Sequence, residues 1–91
     1  MIKEEIEVKN KLGIHARPAA LLAQEAGKYR SEILISKEGL QVNAKSIMGI
    51  MMIAAEQGST ICLSANGVDE QEAFRALKDV LQKIFDEEVV Y

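Results

Sequence analysis

One cysteine, one histidine, one proline and no tryptophan among 91 residues close off several kinds of protein before any motif is read. A lone Cys62 cannot form an intramolecular disulfide. Its place in an apolar alternating run predicts a buried, inert thiol of the sort kept in a reducing compartment. One His and one Cys do not make a zinc site. Aromatic residues are 4% of the chain, and eleven basic against fourteen acidic side chains give a net charge of −3. A base-stacking platform and a grip on a phosphate backbone are therefore both excluded, and no nucleic-acid partner is expected. No apolar run approaches the ~18 residues of a membrane helix, and Met1-Ile2-Lys3-Glu4-Glu5 lacks the apolar core of a signal peptide, so the expectation is a soluble cytoplasmic protein with no membrane insertion. Nucleotide chemistry also lacks its parts: there is no G-x-x-x-x-G-K-[ST], no G-x-G-x-x-G and no aspartate cluster.

What the chain does hold is a regular alternation of short elements. Ile2, Ile6 and Val8 alternate with charged neighbours, which reads as a strand with three aliphatics turned inward. Two further strands are predicted over Glu32 to Lys37 and Leu40 to Asn43, with Ile33, Ile35, Leu40 and Val42 on the buried face and Glu38-Gly39 as the hairpin turn. After a short helix beyond Ser46, Gly58 breaks the chain, and Thr60 to Ala65 alternates again, placing Ile61, Leu63 and Ala65 inward before an Asn66-Gly67 turn. The last helix starts at Asp69, with Glu72 three residues on in the pattern of a capping box. Its Ala73, Leu77, Val80, Leu81 and Ile84 recur at helical spacing. The order β-α-β-β-α-β-α with short connections implies an α+β domain, an antiparallel four-stranded sheet with helices on one face. At this length it is a single domain over residues 1–91, burying about 60 to 65% of the surface of its unfolded chain. Asp86 to Tyr91 forms an acidic-then-apolar tail, read as a frayed end.

The densest chemistry lies in Gly13-Ile14-His15-Ala16-Arg17-Pro18-Ala19-Ala20-Leu21-Leu22. Pro18 has the fixed φ and missing N–H that suit a first helical turn, and good helix formers run on to Gly27. The N–H groups near Ala16 and Arg17 then lack a carbonyl four residues back, and the helix dipole adds about half a positive charge beside them, so an anion is stabilised there. Next to a helix N-terminus an imidazole is favoured in its neutral form, whose free ring nitrogen is a nucleophile. Arg17 adds a fixed cation for phosphate oxygens. A lone histidine more often caps a helix or fills a turn, but a cap needs only Ser, Thr, Asp or Asn. Here a titratable nucleophile stands inside an anion site. Lys11, Lys28 and Lys45 join Arg17 as candidates for a positive patch around it that would attract an acidic partner surface.

The segment Leu12 to Ala19 resembles the phosphorylation motif of the HPr phosphocarrier family of the bacterial sugar phosphotransferase system. Asn43-Ala44-Lys45-Ser46-Ile47-Met48-Gly49-Ile50-Met51 resembles that family's regulatory-serine segment at the expected separation, and the likeness runs over nearly the whole chain. The resemblance implies an open-faced β-sandwich and a carrier with no catalytic site or cofactor of its own. His15 would accept a phosphoryl group through Nδ1 from Enzyme I, itself phosphorylated from phosphoenolpyruvate, and surrender it to an Enzyme IIA domain. Arg17 and the backbone N–H groups of Ala16 and Arg17 would stabilise the phosphate.

Ser46 has two readings. It is a plausible N-cap, worth ~1 kcal/mol. The resemblance instead implies phosphorylation by HPr kinase/phosphorylase, which a helix N-terminus tolerates and which would add about −2 charge against acidic partner groups. Ile47, Met48, Ile50, Met51, Met52 and Ile53 cannot all face inward on one short helix. Ile50 and Ile53 are assigned to the core. Ile47, Met48 and Met51 are assigned to an apolar docking patch, with Gly49 allowing a partner close approach. Three departures bear on the branch and its partners. Leu12 replaces the small polar residue frequent in sugar-branch members and resembles nitrogen-branch paralogues, Ala54 stands where the family usually has glycine, and Met52 replaces a commonly polar residue. Besides sugar uptake, the sequence leaves open a regulatory phosphorelay and a Ser46-dependent binding protein acting on a transcriptional regulator or metabolic enzyme. A monomer is expected.

Overall fold

The computed structural model of the chain describes residues 1–87. Seven elements follow in order: β1 (Ile2–Glu7), α1 (Ala16–Ala26), β2 (Glu32–Lys37), β3 (Leu40–Asn43), α2 (Ile47–Ile53), β4 (Thr60–Asn66) and α3 (Glu70–Glu87). The four strands form one antiparallel sheet in the order β1-β4-β2-β3. The three helices cover one face of it, giving the open-faced α+β sandwich expected from the sequence. Of the tail from Asp86 to Tyr91, the last four residues lie outside the described part.

Parity along the strands decides the layers. Ile33 and Ile35 of β2 and Ile61, Leu63 and Ala65 of β4 are buried under the helices, while their neighbours Leu34, Cys62 and Ser64 are turned to the open side. This corrects the expectation of a buried thiol: Cys62 is half-buried on the uncovered face, because its alternating run has only one covered side. Leu40 is corrected as well. It pairs with Lys37 and shares the inward parity of Val42, but it stands at the hairpin tip beyond the helix layer and is exposed. The hairpin turn itself is as read, since Glu38 and Gly39 both take positive φ, the pairing of a two-residue turn whose twist matches the strands.

The helices close the core through Leu22, Ala23 and Ala26 of α1, Ile50 and Ile53 of α2, and Ala73, Leu77, Leu81 and Ile84 of α3. Phe74 and Phe85 are also buried, although the helical stripe read from the sequence omitted them. Asp69 does other work than the expected capping box. Its carboxylate accepts the backbone N–H groups of Arg30 and Ser31, both at 2.9 Å, and the Ser31 hydroxyl, tying the α1–β2 connection to the start of α3. The Ser31 hydroxyl bond and these backbone N–H groups stabilise the ionised form and lower its pKa from 3.8 to about 2. Gly67 belongs to the same clamp, since a Cβ there would lie 2.7 Å from Ser31 Cα.

Candidate functional site

His15 sits at the N-cap of α1 with extended backbone (φ −92°, ψ −166°), and its ring makes no cap hydrogen bond to the helix. The first intrahelical bond of this turn is Ala19 N–H to the His15 carbonyl at 2.9 Å. The N–H groups of Ala16 and Arg17 are thereby left over at the helix end, and Pro18, buried in the first turn, has none to leave. His15 thus stands at a helix start whose leftover N–H groups favour an anion.

What the sequence reading missed is how the approach to His15 is held. The Asn10 side-chain amide, fully buried, donates to the Gly13 carbonyl at 2.7 Å, and Gly13 N–H donates to the Asn10 carbonyl at 3.2 Å. An Asn three residues ahead of a glycine is the available signal for such a turn. Gly13 has φ +68°, and a Cβ there would lie 2.3 Å from the Ala55 carbonyl oxygen. The next residue, Ile14, donates its N–H to that same oxygen at 2.8 Å. The turn before His15 is therefore pressed against the chain leaving α2, and only glycine permits the approach.

This contact builds a shallow hollow of about 480 Å³ lined by Lys11, Leu12, Ile14, His15, Ala16, Met51, Ala54, Ala55, Glu56 and Gln57. Its far wall is the end of α2, where Ala54 takes the left-handed conformation at the C-cap (φ +52°, ψ +49°). The departure from glycine noted at this position therefore falls where a side chain is least welcome.

The same short helix carries the second motif. The Ser46 hydroxyl caps it, accepting Gly49 N–H at 3.0 Å. Ile50 and Ile53 are buried as assigned, and Ile47, Met48 and Met51 are exposed as assigned, with Met52 and Leu12 exposed beside them. Gly49 is accounted for differently. A Cβ there would meet Ser46 Oγ at 3.2 Å and Val42 Cβ at 3.3 Å, so its bareness serves close packing of the helix on β3 and not an approaching partner.

The expected positive patch is only partly assembled. Lys11 lines the hollow and Arg17 is exposed in the first turn of α1. Lys28 pairs with Glu25 at 3.1 Å and Lys45 donates to the Tyr29 carbonyl at 2.8 Å, which places both past the C-terminal end of α1, about 16 Å of helix away from His15.

An imidazole at a helix N-terminus thus stands beside an exposed apolar helix. A family model described as "PTS HPr component phosphorylation site" matches residues 2–83. The chain belongs to the HPr phosphocarrier family. Members are carriers of the phosphotransferase system without a catalytic activity of their own. Among HPr proteins of known structure, the crystal structure of HPr-C-His from Thermoanaerobacter tengcongensis superposes with a TM-score of 0.89 at 52% identity, covering 97% of this chain and 99% of that one. The HPr-like protein Crh of Halalkalibacterium halodurans is 54% identical over 83 residues, covering 91% of this chain and 99% of its own. The phosphocarrier protein HPr of Neisseria meningitidis is 47% identical over 87 residues, covering 96% and 98%. HPr-type carriers and an HPr-like Crh thus both stand among the relatives. No helix among the described residues is long and apolar enough to cross a membrane, and no group of three metal-ligating side chains occurs among them.

Proposed function

We propose that the chain relays a phosphoryl group through His15 in the phosphoenolpyruvate-dependent sugar phosphotransferase system, taking it from phospho-Enzyme I and giving it to an Enzyme IIA domain. The observation that carries this reading is the placement of His15 at the α1 N-cap, with the Ala16 and Arg17 N–H groups directed past the helix end. In-line attack by Nδ1 on the phosphoryl group of the donor forms a phosphorus–nitrogen bond as the donor's bond breaks. Backbone N–H groups and the Arg17 guanidinium then take up the charge on the phosphoryl oxygens. The acceptor reverses the step with its own nucleophile, so the carrier returns unchanged and needs no cofactor.

Ile47, Met48 and Met51, with the neighbouring Met52 and Leu12, form the surface on which both partners dock, one after the other. Ser46 at the opposite end of α2 is the site for a kinase of the HPr kinase/phosphorylase type, its added charge opposing acidic partner groups. The protein acts in the cytoplasm as a monomer.

A second reading follows from the 54% identity to Crh and from Leu12: a regulatory phosphorelay or a Ser46-dependent binding protein acting on a transcriptional regulator, uncoupled from sugar uptake. Incubation with phosphoenolpyruvate, Mg²⁺ and Enzyme I, followed by intact mass before and after acid, separates a His15 relay from a Ser46-dependent binding protein, and onward transfer to a sugar-permease Enzyme IIA domain separates the sugar relay from a regulatory one. One acid-labile phosphate on the wild type and none on His15→Ala is the expected result. No phosphate on the wild type, with Enzyme I active on a control carrier, would overturn the relay in favour of the Ser46-dependent binding role.

A further inference from the structure

Three of the four methionines lie within five residues of one helix, and that helix divides its residues by chemistry. Its two buried positions are Ile50 and Ile53, at 1% and 5% exposure. Its thioethers, Met48, Met51 and Met52, are 76%, 45% and 66% exposed. Core positions of α2 are thus filled by side chains that peroxide does not touch, and the outer face carries three that it oxidises, beside Ile47 at 43% exposure. Met51 also lines the hollow that holds His15.

We infer that Met48, Met51 and Met52 are a site of reversible sulfoxidation that switches the carrier off at its docking surface; this rests on the phosphocarrier reading above. The oxidant is hydrogen peroxide. A thioether sulfur donates an electron pair to one peroxide oxygen, the O–O bond breaks and an S=O bond forms. The departing hydroxide takes a proton and leaves as water, sulfur being oxidised by two electrons and the peroxide reduced by two. A thiol-dependent sulfoxide reductase reverses the step, two thiols becoming a disulfide and the oxygen leaving as water. The product replaces a flexible apolar tip with a strongly polar, chiral one, and a partner that buries it must desolvate the S=O dipole. Because Ile50 and Ile53 hold the helix to the sheet, the fold survives the change. Met1, 73% exposed at the start of β1 and ion-paired through its amino group with Glu70 at 3.0 Å, is an oxidisable residue away from this surface.

The test compares the wild type with the Met48→Leu/Met51→Leu/Met52→Leu variant, in which Met1 and Cys62 remain as the sulfur groups open to oxidation. Phosphoryl transfer from Enzyme I is measured before and after hydrogen peroxide, with peptide mass mapping of every sulfoxide. The quantity read is the ratio of KM after to before within each protein, so the variant's own starting KM drops out. The wild type should rise at least tenfold in KM with kcat within about twofold, and treatment with methionine sulfoxide reductase should restore it. The variant should change less than twofold. An unchanged KM with all three sulfoxides present, or an equal rise in both proteins, would overturn the inference. Whether the untreated wild type accepts phosphate at all is read before peroxide is added, and failure there strikes the carrier reading instead.

Discussion

Replacing Ala54 by glycine removes a methyl group and is expected to stabilise the protein. Ala54 is exposed, so its Cβ buries little, and it ends α2 with φ +52° and ψ +49°. An L-residue in that region costs roughly 1–2 kcal/mol from the approach of Cβ to the following carbonyl. Glycine relieves that cost and forfeits about 0.5–1 kcal/mol through its wider freedom in the unfolded chain. The backbone bond from Ala54 N–H to the Met51 carbonyl and the one from Lys37 Nζ to the Ala54 carbonyl, both at 3.1 Å, involve no side-chain atom of residue 54 and persist. The net gain is about 0.5–1 kcal/mol, or a rise in Tm of about 2–8 °C for a domain of this size. With no tryptophan to report unfolding, urea titration followed by far-UV circular dichroism is the assay. Gly13→Ala supplies the opposite sign in the same experiment: it places a Cβ 2.3 Å from the Ala55 oxygen at φ +68° and should cost at least about 2 kcal/mol. An Ala54→Gly midpoint equal to or below that of the wild type would refute the assignment of strain to this cap.

Three further outcomes are expected. Arg17→Lys should slow phosphoryl transfer to His15 by about tenfold, because a point charge replaces a planar two-pronged donor, as stopped-flow phosphorylation by Enzyme I would show; an undiminished rate removes Arg17 from the phosphate site. Ser46→Ala should lower stability by ~1 kcal/mol in urea titration, since the Gly49 N–H loses its acceptor, and a loss below the error of the titration would mean the cap contributes nothing. Asp69 has a folded pKa of about 2 against an ordinary 3.8, so its contribution is fully present above pH 4 and disappears as pH falls toward 2. Stability measured against pH should therefore decline more gently over that interval in Asp69→Asn than in the wild type, and identical slopes would dismiss the clamp.

Local chemistry was legible in the sequence wherever one element settled it. Glu38-Gly39 marked a turn with two positive φ values, and the crowding of six apolar residues on a seven-residue helix forced a division between Ile50 and Ile53 inside and Met48 and Met51 outside. The His15 to Pro18 spacing placed a ring at a helix start for the same reason. Contacts between segments far apart in the chain were not legible. Asp69 followed by Glu72 had the pattern of a capping box, yet its carboxylate serves Arg30 and Ser31, nearly forty residues away. Lys28 and Lys45 were named as candidates to surround His15, but the fold sets both at the far end of α1. Alternation around Cys62 did carry the answer, since Ile61, Leu63 and Ala65 turned inward leave residue 62 on the opposite face, and the expectation of a buried thiol overlooked that parity.

The seven residues of α2 also work as a spacer, with Ser46 at one end and the His15 hollow at the other. Their axial rise is about 10 Å, close to one Debye length at 0.1 M salt. A phosphate on Ser46 would therefore influence His15 through open solvent only as far as the ionic atmosphere lets it, and that influence should fade as salt is raised. Beneath a docked partner, where the ions are excluded, the same charge would keep its full force. Ionic strength is thus the variable that tells a field acting along the helix from a repulsion acting at the interface.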